Sequence, residues 1–149
     1  MNSTILEMME AIPFFEPFTT AERRLLAEHV HCFELFKNGE VIIQEGDTQD
    51  ASLYIILNGA ALVRKDDHPE HIIAYLEAGS IIGEAAFLVG GRRRMASVVA
   101  EGLVNVFKLD RSALSQFDCP FQLKLTQQLV IIIVERLEKM NEALAELMG

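Results

Sequence analysis

Eight of the nine glycines fall between Gly39 and Gly102, and the remaining one is the last residue, Gly149. Glycine at that density interrupts helices and supplies the left-handed residues that tight turns and bulges need. The middle of the chain is therefore confined to turn-rich β structure, while the two flanks are free to be helical. Between the glycines run short segments rich in β-branched and aromatic residues: Cys32–Phe36, Val41–Gln44, Leu53–Leu57, Ala60–Lys65, Ile72–Leu76, Ser97–Ala100 and Val104–Leu109. With a short one near Ile81, about eight strands predict a sandwich, jelly roll or small barrel.

The flanks read as helices. Thr19-Thr20-Ala21-Glu22 is a capping box, and Leu25, Leu26, His29 and Val30 follow at the spacing of a short amphipathic helix. Pro13 and Pro17 isolate an earlier helical turn around Ile5–Met9, leaving Phe14, Phe15 and Phe18 in an apolar connector expected to cap the core. On the other side, Asp110 is an N-cap for one or two turns over Arg111–Phe117 that stop at Pro120. A long helix follows. Val130, Leu137 and Leu144 repeat at intervals of seven, as do Ile133, Met140 and Leu147, with Leu123 one heptad ahead of the first series. That is a coiled-coil seam. Leu129, Ile131, Ile132 and Val134 widen the stripe, so the first half is expected to dock on its own domain and the rest to pair with a second copy.

Composition narrows the function classes. A chain of 149 residues that is 50% hydrophobic has enough apolar material for one core and no room for a second large domain. With 22 acidic against 13 basic residues the net charge is -9, which opposes phosphate backbones, so no direct nucleic-acid binding is expected. The longest apolar run, Leu129–Val134, is far too short for a membrane span. The first twenty residues hold Glu7, Glu10 and Glu16 and no Lys or Arg, unlike a secretory leader, which predicts a cytoplasmic protein. Cys32 and Cys119 are too few for a disulfide framework or a four-thiolate cluster and read as buried thiols. His29 and His31 lie at a helix end, and His68 and His71 flank Pro69 in a hairpin tip. None sits in a glycine-led strand motif, which counts against a cupin metalloenzyme; they read as surface histidines, with no metal site.

The chemistry concentrates between Gly79 and Ala100. Gly83 can take a positive φ and admit a ligand close to the backbone, and Glu84-Ala85-Ala86-Phe87-Leu88 can turn helically just after it. A helix start of this kind offers outward N–H groups to an anion, and the small side chains of Ala85 and Ala86 leave room for it. Glu84 repels a phosphate and needs another partner, for which a pair of sugar hydroxyls is suited. Arg94, entering the strand Met95–Ala100, can neutralise the phosphate with a bidentate fork. Arg92 and Arg93 read as a solvated loop tip.

This arrangement resembles the cyclic nucleotide-binding domain of catabolite activator proteins, kinase regulatory subunits and nucleotide-gated channels. The matching segments are Ile82-Gly83-Glu84-Ala85-Ala86-Phe87 with Arg94-Met95-Ala96-Ser97-Val98, and upstream Lys37–Asp47 and Leu53–Gly59. The resemblance implies a β jelly roll with N-terminal helices over 1–31, a β roll over 32–110 carrying a cassette at 82–98, and C-terminal dimerisation helices over 111–149. It implies that Glu84 accepts from the ribose 2′-hydroxyl, that Arg94 pairs with the cyclic phosphate, and that amides of Ala85, Ala86 and Ala96 complete the anion site. Val63 and Ile73 would line the base pocket, and Asn141 on the long helix would bond the base. Met95 stands where the family often has Ser or Thr. The lost hydroxyl favours cyclic AMP over cyclic GMP, and one lost hydrogen bond costs about 1 kcal/mol, roughly fivefold in affinity, which weakens binding without abolishing it. The expectation is a stand-alone or excised single domain, not an enzyme, without a cofactor, that binds cyclic AMP, forms a homodimer and passes a conformational signal to a downstream effector. A haem sensor or a ligand-free dimerisation module of the same fold would leave Glu84 and Arg94 without a purpose.

Overall fold

A computed structural model describes residues 2–149, which divide into two compact units, the chain up to Leu114 and Ser115–Gly149. In the first, α1 (Asn2–Glu10) and α2 (Thr20–Glu28) precede six strands: β1 (Phe33–Phe36), β2 (Val41–Ile43), β3 (Leu53–Lys65), β4 (His68–Leu76), β5 (Ile81–Ile82) and β6 (Ser97–Leu109). A short helix α3 (Glu84–Leu88) lies between β5 and β6, and α4 (Arg111–Leu114) closes the unit.

Every strand pairing is antiparallel. The path is β1-β6-β3-β4, with β2 also on β6 and β5 also on β3. Six strands replace the eight expected because two pairs of runs are each one strand: 53–57 and 60–65 form β3, and 97–100 and 104–109 form β6. Both bend without breaking. Asn58 pairs with Asn105 and Ala60 with Glu101, so Gly59 alone faces residues 102–104 of β6. Each half of a bent strand then takes its own edge partner. Tyr54 and Ile55 of β3 pair with β5, whereas its second half pairs with β4; β6 pairs with β2 near Val98 and with β1 near Val106. The core cluster draws on both halves: Tyr54, Ile56 and Ala61 of β3, Val98, Ala100, Val104 and Val106 of β6, with Ile42, Ile43 and Ile82.

Gly59 makes this bend possible. Its φ is +103°, and a Cβ there would stand 2.4 Å from the Leu103 carbonyl oxygen and 3.0 Å from Val104 Cα. Backbone on the neighbouring strand cannot move aside as a side-chain end can. Gly59→Ala is therefore expected to destabilise the domain by about 3 kcal/mol or more, combining left-handed strain with the clash. Urea unfolding would read this as a lower midpoint; an unchanged midpoint would show that the bend is not constrained.

The apolar connector does enter the core. Phe14, Phe15 and Phe18 are buried, and Phe15 meets Phe107 of β6 edge-on at 5.6 Å. Thr19 and Glu22 close a reciprocal capping box, the Thr19 N–H donating to Glu22 Oε1 at 2.8 Å and the Glu22 N–H to Thr19 Oγ1 at 3.1 Å. Asp110 caps α4, accepting from the Ala113 N–H at 2.7 Å. Burial first, then the Asp110 carboxylate, push the Cys32 thiol up to about 11, so it stays protonated and acts as a small apolar side chain.

The second unit is dominated by α5 (Cys119–Met148), 30 residues and so roughly 45 Å long. Asp118 caps it by accepting from the Phe121 N–H at 2.9 Å, and Pro120 occupies its first turn. Cys119, expected to be buried, is exposed, because it belongs to that first turn and not to the apolar stripe further on. No helix among the described residues is long and apolar enough to cross a membrane.

Candidate functional site

The site is assembled where β5 ends. Gly83 turns the chain with φ +82° and opens α3 without a side-chain cap. The amides of Ala85 and Ala86 lie in the first turn, where the helix has no carbonyl to offer them. Glu84 begins the helix and is half-buried, Ala85 is exposed and Ala86 is buried. After an exposed loop, Arg94 is fixed by its backbone to the turn after β2: its N–H donates to the Asp47 carbonyl at 3.0 Å and its carbonyl accepts from the Gly46 N–H at 2.8 Å.

Arg94 is the buried charge of this unit, only 5% exposed. Its Nη2 donates to the Ser52 carbonyl at 2.7 Å and its Nη1 to the Gly83 carbonyl at 3.2 Å. Asp50 Oδ2 lies 3.5 Å from Nη2 and accepts from the Tyr54 hydroxyl at 2.8 Å; Asp50 Oδ1 accepts from the Ser52 N–H at 3.0 Å. Burial alone would raise the Asp50 pKa, but bonds from Ser52 and Tyr54 and the charge of Arg94 outweigh it and hold the carboxyl below its ordinary range. Burial, and then the Asp50 carboxylate, raise the Tyr54 phenol far above neutrality, so it remains a donor. These partners do not exhaust the five N–H donors of a guanidinium, and Arg94 Nε is buried without a hydrogen-bond partner. An orphaned buried donor costs about 1–3 kcal/mol, and it lies on the side chain that reaches Gly83 at the mouth of α3. A Cβ at Gly83 would stand 2.6 Å from Arg94 Nη1 and 2.8 Å from the Ser52 carbonyl oxygen, so only glycine leaves the two together. The residues present fit an anion held against backbone.

Of the residues named from the sequence, Gly83, Glu84, Ala85, Ala86 and Arg94 converge here. Met95 is 73% exposed, and its carbonyl accepts from Lys65 Nζ; Ala96 is half-buried. Ser97, fully buried, donates from Oγ to Asp66 Oδ1 at 2.7 Å and accepts from the Glu45 N–H at 2.9 Å, which ties β6 to the tip of the β3–β4 hairpin and to the end of β2. Val63 stands opposite Val98 on β6 and Ala74 on β4. Ile73 does not face it. Val63 pairs with Ala74 and Arg64 with Ile72, leaving Ile73 as the extra residue of a bulge, 57% exposed. Ala74, not named from the sequence, is the direct neighbour of Val63. Asn141 is exposed on α5, in the other unit, and its role rests on the resemblance alone. Asp50, Ser52 and Tyr54 were not named from the sequence, where an acid four residues before a tyrosine is their one local signal. Arg111, at the start of α4, donates from Nη2 to the carbonyls of Phe87 at 2.8 Å and Leu88 at 3.2 Å, and its guanidinium lies 5.3 Å from the centre of the Phe87 ring.

Residues 33–117 match the family model described as the cyclic nucleotide-binding domain. The type II regulatory subunit of cAMP-dependent protein kinase from Drosophila melanogaster is 38% identical over 109 residues, covering 72% of this chain and 28% of its own length. The regulatory subunit from Dictyostelium discoideum is 29% identical over 76% of this chain and 36% of its own. This chain thus spans little more than a third, or less, of these curated relatives. Among solved structures, a cyclic nucleotide-binding domain from Methylobacillus flagellatus superposes with a TM-score of 0.72 at 29% identity, covering 95% of this chain and 81% of that one. The catabolite activator protein of Thermus thermophilus shares the fold, with a TM-score of 0.69 at 23% identity over 91% of this chain and 62% of its own. The chain belongs to the cyclic nucleotide-binding domain family.

Proposed function

We propose that this domain is a cyclic AMP sensor: a regulatory module, not an enzyme, that binds one nucleotide at the Gly83–Arg94 site and, as a homodimer through α5, passes a conformational signal to a downstream effector. The observation that carries the reading is the buried Arg94 guanidinium, with its partnerless Nε, anchored to the glycine that opens α3. Its unused donors meet the cyclic phosphate, helped by amides of Ala85, Ala86 and Ala96. Glu84 accepts from the ribose 2′-hydroxyl, and Val63 with Ala74 forms the apolar wall for the base. Met95 offers no hydroxyl to a guanine amino group, which favours cyclic AMP by roughly fivefold. The Drosophila and Dictyostelium relatives are named for dependence on cAMP, which supports the same ligand.

The signal begins at α3. A phosphate drawing on the first-turn amides loads a helix whose far end is held by Arg111, so a shift of α3 is passed to α4, the last element before the second unit. The net charge of -9 gives this domain itself no electrostatic footprint for DNA. Cyclic AMP at a hundredfold excess over its dissociation constant is expected to add about 2.7 kcal/mol, raising the melting temperature by about 5–10 °C. A melting curve unmoved by millimolar nucleotide would overturn the sensing role.

A further inference from the structure

We propose that the β3–β4 hairpin carries a transition-metal site, in which His68, Glu70 and His71 bind one divalent cation of the zinc class. In a regular strand His68 and Glu70 would share one face and His71 would point to the other. Here they do not separate in this way, because the hairpin is irregular. Lys65 pairs with His68 and Arg64 with Ile72, so β4 runs through Pro69, Glu70 and His71 with no partner residues on β3. That excursion brings the side chains together. The two imidazoles stack at 5.5 Å between centres with 22° between planes. His68 Nδ1 is 3.7 Å from Glu70 Oε1, and one ligand atom from each of the three residues lies within 4.8 Å of the others. Donors on a tetrahedral zinc are about 3.3 Å apart, so small rotations of exposed side chains close the set around an ion.

The base of the site is fastened. Pro69 fixes its own φ between two of the ligands. At the tip, Asp66 accepts from Ser97 Oγ at 2.7 Å and from Gln44 Nε2 at 2.5 Å, and its N–H donates to Glu45 Oε1 at 2.8 Å. Two imidazole nitrogens and one carboxylate oxygen suit zinc, nickel or copper and not calcium or magnesium, which take all-oxygen sets. Water completes the coordination, and the exposure of all three residues leaves the approach open.

The test is a zinc titration of the intact, tag-free chain after chelator treatment, against a metallochromic competitor. One equivalent is expected to bind with a dissociation constant of about 1–10 µM. His68→Ala and His71→Ala should each weaken binding by about tenfold or more, and Glu70→Gln by several-fold. His29→Ala with His31→Ala, and Cys119→Ser, should leave it unchanged, as should a large excess of magnesium. Circular dichroism would verify that the hairpin variants fold. No binding by the intact chain below about 100 µM zinc, or full binding by a folded His68→Ala/His71→Ala variant, would overturn the assignment.

Discussion

Replacing Arg94 with alanine is expected to weaken cyclic AMP binding by roughly a hundredfold or more. Charge-assisted hydrogen bonds contribute about 1.5–3 kcal/mol each, so losing a two-pronged contact costs about 3 kcal/mol or more, roughly a hundredfold in affinity. The same change also removes the bonds to the Gly83 and Ser52 carbonyls and the ion pair with Asp50. Some folded-state stability goes with them, about 1–3 kcal/mol, moderated because Asp50 keeps its bonds from Tyr54 and Ser52. Arg94→Lys separates the two effects: it keeps the charge and loses the fork, and should bind more weakly than the parent but more tightly than alanine. Calorimetric titration of folded variants measures this directly. Parent-like affinity in Arg94→Ala would place the phosphate elsewhere.

The second large effect is on assembly. Val130, Leu137, Met140, Leu144 and Leu147 are each between 46% and 83% exposed along one seam of α5, an apolar surface that a lone chain would leave in water. Leu137→Asp places a carboxylate in the middle of that seam, where pairing would bury it without a partner. The parent is expected to sediment as a dimer at micromolar concentration and the variant as a monomer. A parent that sediments as a monomer with and without nucleotide would remove dimerisation from the mechanism.

The features legible in the sequence are those set by neighbours along the chain. The Thr19–Glu22 capping box, the Asp110 cap, the glycine before α3 and the 30-residue helix after Asp118 each depend on residues within one turn of one another. What was not legible depends on pairing across the chain. Gly59 looks like a break between strands, and only the pairing of β3 with β6 turns it into a bend within one. The bulge that leaves Ile73 without a partner between Ala74 and Ile72 likewise exists only in the pairing of β3 with β4. Asp50 and Arg94 are 44 positions apart, and no local pattern joins them; the contact exists because the turn after β2 is bonded to the Arg94 backbone. Arg94 could be named from its place after the glycine-led helix. The network that anchors it could not.

Titration of the intact chain with cyclic AMP and, separately, cyclic GMP tests the central claim most directly. The account predicts saturable binding of one cyclic AMP per chain and cyclic GMP weaker by roughly fivefold or more. No binding of either nucleotide at millimolar concentration would contradict it, and would leave Glu84 and Arg94 serving a different ligand or the fold alone.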